Sequence, residues 1–314
     1  MNLPEKIPPM LAVSVDPFDD PDFLYEIKWD GYRCLIFAEE GRFILQSRNF
    51  KVLNDVFPEL GALKEQLAAV EPAVVDGEIV ALKDGKPSFL WLQKRQGTFG
   101  REASRVMREK IPVLFVAFDL LYEKGENITA QPLWRRKEKL AGLKSSEFLV
   151  VSTHIRKNGI RYFHAIKEMG LEGMIGKYGS SPYLPGKRSN YWRKCKILQK
   201  KPFAVCGYVY NPASRGTLSS LVLGALFDGK LTYYGNVGTG MTQTFLAELR
   251  NYLDETRTDL PPFPDPPGLK NVRWAKPTLV AQIQYLELTE NSQLRHPLFL
   301  TLLPGMKPEE CMME

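Results

Sequence analysis

Apolar and polar positions alternate over residues 24–28, a second short segment follows at 33–37, and Glu39-Glu40-Gly41-Arg42 turns into a third at 43–46. This pattern predicts a meander of short strands. Asn54-Asp55, followed by Pro58, reads as a helix start, with Leu60, Leu63, Leu67 and Val70 on one face of the helix behind it. Segments 74–82 and 113–121, rich in Val, Leu and Phe, read as buried strands, separated by basic, helix-compatible sequence. A helix over about 160–169 and strands at 173–177 and 192–197 complete a region of mixed α+β character with mostly antiparallel strands.

Past Lys200 strands dominate. Segments 203–210, 219–227 and 231–237 read as strands, the last two joined by Asp228-Gly229-Lys230, a good hairpin turn. A helix over 244–253, a rigid proline-rich stretch at 261–268 and strands at 272–275 and 279–288 follow. Five or so strands with one inserted helix fit a small OB-fold β-barrel. The expected organisation is one α+β domain over residues 1–200 and a barrel domain over 201–314, with no internal repeat.

The length of 314 residues agrees with two domains, each able to bury a core unaided. No apolar run approaches the roughly 18 residues of a membrane span, and Glu5 and Lys6 interrupt the N-terminus where a secretory segment would be apolar. These features predict a soluble cytoplasmic protein, and a monomer is the default. The four cysteines form no CxxC pair and the three histidines are scattered, which predicts reduced thiols and no zinc cluster. His296, beside Pro297, reads as a buried hydrogen-bonding residue. Residues 1–200 hold 32 basic and 25 acidic side chains and the remainder 10 and 11, so the cationic surface belongs to the first region. Lys86, Lys94, Arg95, Arg101, Arg105, Arg108 and Lys110 face only Glu102 and Glu109 there, a pattern that suits a polyanion as well as it suits a solvated helix face.

The sharpest chemical feature is Lys28-Trp29-Asp30-Gly31-Tyr32-Arg33, where a lysine closes one strand and an arginine opens the next. A lysine attacks only as the free amine, and neighbouring cations favour that form. Arg33 is one such cation, and Lys194 and Lys196, two apart on a later strand and so on one face, are others. Rival phosphate-binding motifs are missing: Gly85-Lys86 continues as Pro-Ser, Gly186-Lys187 is followed by arginine, and Gly238-Thr239-Gly240 meets Gln243 where a third glycine belongs.

With five further motifs in order, the chain resembles the covalent nucleotidyltransferases and, among them, the ATP-dependent DNA ligases, nearest to the bacterial ligases associated with end-joining repair. The motifs are Ser47-Arg48-Asn49, Asp76-Gly77-Glu78-Ile79, Phe118-Asp119-Leu120-Leu121-Tyr122, Glu172-Gly173-Met174-Ile175-Gly176-Lys177 and Trp192-Arg193-Lys194-Cys195-Lys196. The resemblance implies that Lys28 attacks the α-phosphate of ATP and carries AMP, with Lys194 and Lys196 on the α-phosphate oxygens. It places Phe118 against adenine, Glu26 at the base edge, Lys177 with the nucleotide, and Glu78 and Arg33 at the ribose or the nick. Arg48 would contact the DNA phosphate, and Glu172, with Glu78, would hold magnesium or manganese. Taken singly, Glu78, Phe118 and Glu172 also read as ordinary structural residues, and Trp192, Tyr183 and Tyr191 as packing.

The resemblance implies nicked double-stranded DNA as partner, with DNA-repair proteins alongside. A GTP-dependent capping enzyme or RNA ligase shares the chemistry, and a non-catalytic nucleic-acid-binding module shares the fold. One departure stands out. After Leu294-Arg295-His296-Pro297-Leu298-Phe299 these ligases carry a basic Arg-x-Asp-Lys segment, where this chain has Leu303-Pro304-Gly305-Met306, with Lys307 one position later. Unless Lys307 substitutes, the resemblance implies an impaired first step and intact later ones.

Overall fold

Of the three short segments expected to form one meander, the second and third are neighbouring strands, while the first, Phe23–Ile27, belongs to a different sheet. Tyr32–Glu39 pairs antiparallel with Arg42–Ser47 on one side and with Ala73–Lys83 on the other, and Ala73–Lys83 pairs in turn with Val113–Glu123. The structure is a computed structural model that describes residues 3–96, 101–214, 217–289 and 291–313. The chain divides into two compact units, Met1–Ile197 and Leu198–Glu314.

Among the described residues the first unit contains two sheets. The paired strands above, with three short ones, make a seven-stranded sheet in which Leu149–Val151 runs parallel to Val113–Glu123. Val113–Glu123 is buried along most of its length, which is why its sequence is largely apolar rather than alternating, with Asp119 as the buried exception. The second sheet has five strands, in the order Leu11–Ser14, Arg188–Lys196, Gly173–Tyr178, Phe23–Ile27 and Ile155–Arg156.

Two local expectations change. The helix read from Asn54-Asp55 is a 3-10 segment, Pro58–Ala62, leading into a short helix, Leu63–Leu67. Asn54 does not cap it. Its side chain accepts from the Leu45 amide and donates to the Phe43 carbonyl, both at 2.9 Å, and so ties the loop to the preceding strand. A helix over Leu133–Leu140, entered through Pro132, was not visible as an apolar stripe.

In the second unit Gln199–Asn211 pairs with Thr217–Phe227 and with Val272–Tyr285 in a six-stranded sheet. Together with the helix Gln243–Glu255 it forms the OB-type barrel. Asp228 and Gly229 have φ of 48° and 73°, the left-handed pair that a tight hairpin requires. The strands expected at 272–275 and 279–288 are largely one strand of 14 residues, Val272–Tyr285. Pro277 falls where the pairing with Gln199–Asn211 shifts register, so its missing N–H breaks no ladder bond. Thr242 caps the helix by accepting from the Phe245 amide at 3.3 Å. His296 is exposed with φ of 52°, not buried as expected, because it sits in a turn before Leu298–Leu302. No helix among the described residues is long and apolar enough to cross a membrane.

Candidate active site

Lys28 lies one residue past the strand Phe23–Ile27, and its amide donates to the Gly173 carbonyl at 2.8 Å. The turn behind it needs a glycine. A Cβ on Gly31 would lie 2.2 Å from the Ile79 carbonyl oxygen, so only glycine lets the turn pass this close to the other sheet. Pairing aligns Glu26 with Ile175 and Ile175 with Lys194, while Gly173 meets Lys196. The sheet register therefore brings residues 150 positions apart to the mouth of one cleft.

That cleft, about 270 Å³, is lined by Glu26, Lys28, Arg33, Arg48, Glu78, Phe118, Lys177, Lys194 and Lys196. Glu172, the remaining residue proposed from the sequence, joins them by its ion pairs: one oxygen engages the Lys28 ammonium and the other lies 3.1 Å from Lys196 Nζ. Burial and the charges of Lys196, Arg188 and Lys28 hold the Lys194 ammonium below the ordinary lysine range.

Arg33 is anchored rather than loose. Its Nε and Nη2 donate to the two oxygens of Asp76, each at 2.6 Å, and Tyr183 donates to the same carboxylate at 2.7 Å. Burial alone would favour a neutral guanidinium, but Asp76 outweighs it and raises the pKa. Glu78 has no such partner, and burial pushes its carboxyl up to about 8. Glu26 goes the other way: burial opposes its charge, yet Lys137 and Lys177 hold it below the usual range.

Phe118 is only 9% exposed. Its ring meets Lys177 Nζ at 4.3 Å, the Arg33 guanidinium at 4.7 Å and the edge of Trp192 at 6.0 Å. The next residue, Asp119, is gripped by Arg136 through bonds of 2.8 and 2.9 Å, which fixes the strand end that presents the ring.

Sequence reasoning missed several wall residues. Leu11, Ala12, Ile27, Trp29, Ile175, Arg188 and Trp192 also line the cleft. The signal for Trp29 and Trp192 was present, since each lies inside a motif; both indole N–H groups are buried without a hydrogen-bond partner, a condition that a bound ligand relieves. Tyr191 is exposed and stacks on Tyr178. The expected basic face is smaller than its sequence. Arg95 is buried, paired with Glu59 at 2.9 Å and bonded to the Ile111 and Val56 carbonyls, so it serves the core. The side chains of Arg101, Glu102 and Arg105 lie outside the described residues, while Lys94, Arg108 and Lys110 are exposed.

A family model described as ATP dependent DNA ligase domain matches residues 9–196, and a second, ATP dependent DNA ligase C terminal region, matches 214–304. The chain is 32% identical to the multifunctional non-homologous end joining protein LigD of Mycolicibacterium smegmatis, over 99% of this chain and 40% of that protein. It is 31% identical to DNA ligase C1 of the same organism, over 99% and 94%. A solved mycobacterial DNA ligase D complexed with ATP and MES is 34% identical with a TM-score of 0.56, covering 98% of each chain. The chain thus spans about 40% of the length of the LigD relative and nearly all of the smaller ligase.

Proposed function

The chain belongs to the ATP-dependent DNA ligases, and from that premise we propose that it seals nicks in double-stranded DNA during repair, through an adenylate carried on Lys28. The observation that carries the reading is the setting of Lys28: it stands in a cleft walled by Arg33, Lys194 and Lys196, with one carboxylate, Glu172, holding its ammonium.

In the first step the Lys28 nitrogen lone pair forms a bond to the α-phosphorus of ATP. The bond to the bridging oxygen breaks, pyrophosphate takes that electron pair, and the amine gives up a proton to solvent. Lys194 and Lys196 offer fixed positive charge where negative charge spreads over the phosphate oxygens. In the second step an oxygen of the 5′-phosphate at the nick attacks the same phosphorus and the P–N bond breaks, returning the pair to Lys28. In the third the 3′-hydroxyl attacks the activated 5′-phosphate, AMP departs, and the phosphodiester is restored. Arg48 and Arg188, exposed at the rim, suit the DNA backbone.

The residues present fit a divalent cation of the magnesium or manganese type. Among the described residues no three His, Cys, Asp or Glu gather, but magnesium characteristically takes one or two carboxylates and completes its sphere with water and substrate phosphates. Glu172 would hold it, with Glu78 as a weaker second donor because its carboxyl binds a proton so readily. Such an ion supplies charge neutralisation on the phosphates. Glu26, which lines the cleft as an ionised acceptor, suits the amino edge of adenine.

The test follows label from α-labelled ATP or GTP onto the protein and strand joining on a nicked duplex, with Lys28→Ala beside the native chain. Label from ATP and sealing, both lost in the variant, support the reading. Label from GTP alone points to capping, and DNA binding without label or sealing of a pre-adenylated nick points to a non-catalytic module.

A further inference from the structure

Lys137 lies on the helix Leu133–Leu140, is buried, and does not line the cleft. Its ammonium donates to the Ser152 carbonyl at 2.7 Å and lies 3.1 Å from Glu26 Oε1. The other Glu26 oxygen, Oε2, accepts from Lys177 Nζ and from Ser152 Oγ, each at 3.0 Å. Glu26 is 2% exposed, so its charge is sustained by these groups and not by bulk water.

The division of labour between the two lysines is uneven. Lys177 also sits against the rings of Phe118 and Trp192, at 4.3 and 4.5 Å, within the cleft wall that a nucleotide would contact. Among the described residues Lys137 pairs with Glu26 and bonds the Ser152 carbonyl. Its neighbour on the helix, Arg136, grips Asp119 beside Phe118. One turn of one helix thus fixes two walls of the cleft from behind.

We propose that Lys137 is a positioning residue for base selection, holding Glu26 as an acceptor-only carboxylate so that the site takes the amino group of adenine and refuses the oxo group of guanine. The proposal rests on the reading above that Glu26 meets the base edge. Its chemistry is simple: adenine presents an N–H donor where guanine presents an oxygen acceptor. An ionised carboxylate can only accept, whereas a protonated one can donate to the guanine oxygen. A buried carboxylate deprived of one of its two cations gains a proton more easily, and with it the wrong preference.

Equilibrium binding of ATP and of GTP to the full chain tests this without depending on catalysis. Native protein, Lys137→Met, Lys137→Arg and Glu26→Gln are compared by calorimetric titration. Lys137→Met is expected to lower the ATP-over-GTP affinity ratio about tenfold, the scale of one mismatched buried hydrogen bond, and Lys137→Arg to restore it. Glu26→Gln is expected to lower the ratio as well. An unchanged ratio in Glu26→Gln overturns the placement of Glu26 at the base. A lowered ratio there with an unchanged one in Lys137→Met overturns the role of Lys137 alone, as does a parallel loss of both nucleotides in that variant. If Lys137→Met does not fold, Lys137→Gln, which keeps a donor but loses the charge, is read by the same ratio.

Discussion

The two units have interiors of different kinds. Among the described residues every buried charged side chain, from Glu26 and Asp76 to Arg136 and Lys177, belongs to Met1–Ile197, whereas Leu198–Glu314 is built around Phe203, Leu223, Ile283 and their apolar neighbours. Taking an ion out of water costs several kcal/mol even when it is paired, and an apolar replacement of similar shape is often no less stable. Stability alone therefore does not account for the first interior. Apart from the Arg95–Glu59 pair, which serves the core, its charges surround the cleft or brace the residues that line it, while the barrel needs only shape.

The comparison breaks first at Lys28. It is the residue on which the proposed reaction turns, yet it is partly exposed and paired with a single carboxylate. Lys28→Ala is expected to lose covalent labelling and at least about 10³-fold in sealing of an unactivated nick. Its melting temperature should stay close to that of the native chain, read by calorimetry on the same preparation. Arg136→Ala, by contrast, is expected to cost stability. Asp119 and Arg136 are both fully buried, and removing one partner leaves an uncompensated charge at a cost of about 3–5 kcal/mol. Denaturant unfolding measures it; a loss under 1 kcal/mol would mean that the first unit does not depend on its internal ion pairs.

That same helix shows where the sequence was silent. Leu133, Arg136, Lys137 and Leu140 are its buried residues, at the spacing of one helical face, but two of the four are cations. An apolar-stripe reading passes over such a helix, because the pattern is complete only once Asp119 and Glu26 are known to lie opposite. The barrel strands were legible for the contrary reason: their buried positions are apolar, as in the run Leu221–Ala225. Pro277 hid the continuity of Val272–Tyr285, since a register shift that tolerates proline is a property of the partner strand. In the cleft, the ordered motifs and Glu26, two positions before the first of them, supplied the ten residues that the fold gathers, while Trp29 and Trp192 were passed over although they stand within those motifs. Arg95 was misread because a basic run does not reveal which member faces Glu59.

A smaller effect is expected in the barrel, at the segment that departs from the family. Leu303 and Met306 are half-buried against the barrel core, so apolar residues there serve packing. Lys307 is exposed, its amide bonded to Glu310 at 2.6 Å. If it stands in for the missing cations, Lys307→Ala slows self-adenylation about tenfold while sealing of pre-adenylated nicked DNA is unchanged. Equal rates in both assays would leave the first unit alone responsible for the departing pyrophosphate.

The smallest effect sharpens the comparison most, because it repeats the Arg136 experiment on the same pair of residue types. Arg273 Nη1 approaches Asp254 at 3.3 and 3.5 Å, and Tyr208 donates to that carboxylate at 2.6 Å. Each member of the Arg–Asp pair is 33% exposed. Water reaches both groups, so Asp254 freed of Arg273 is resolvated and keeps Tyr208 and, at 3.5 Å, Arg250. Arg273→Ala is therefore expected to cost less than about 1 kcal/mol in the same denaturant experiment. A cost equal to that of Arg136→Ala would show that burial is not what separates the two interiors; a severalfold smaller one assigns the difference to desolvation.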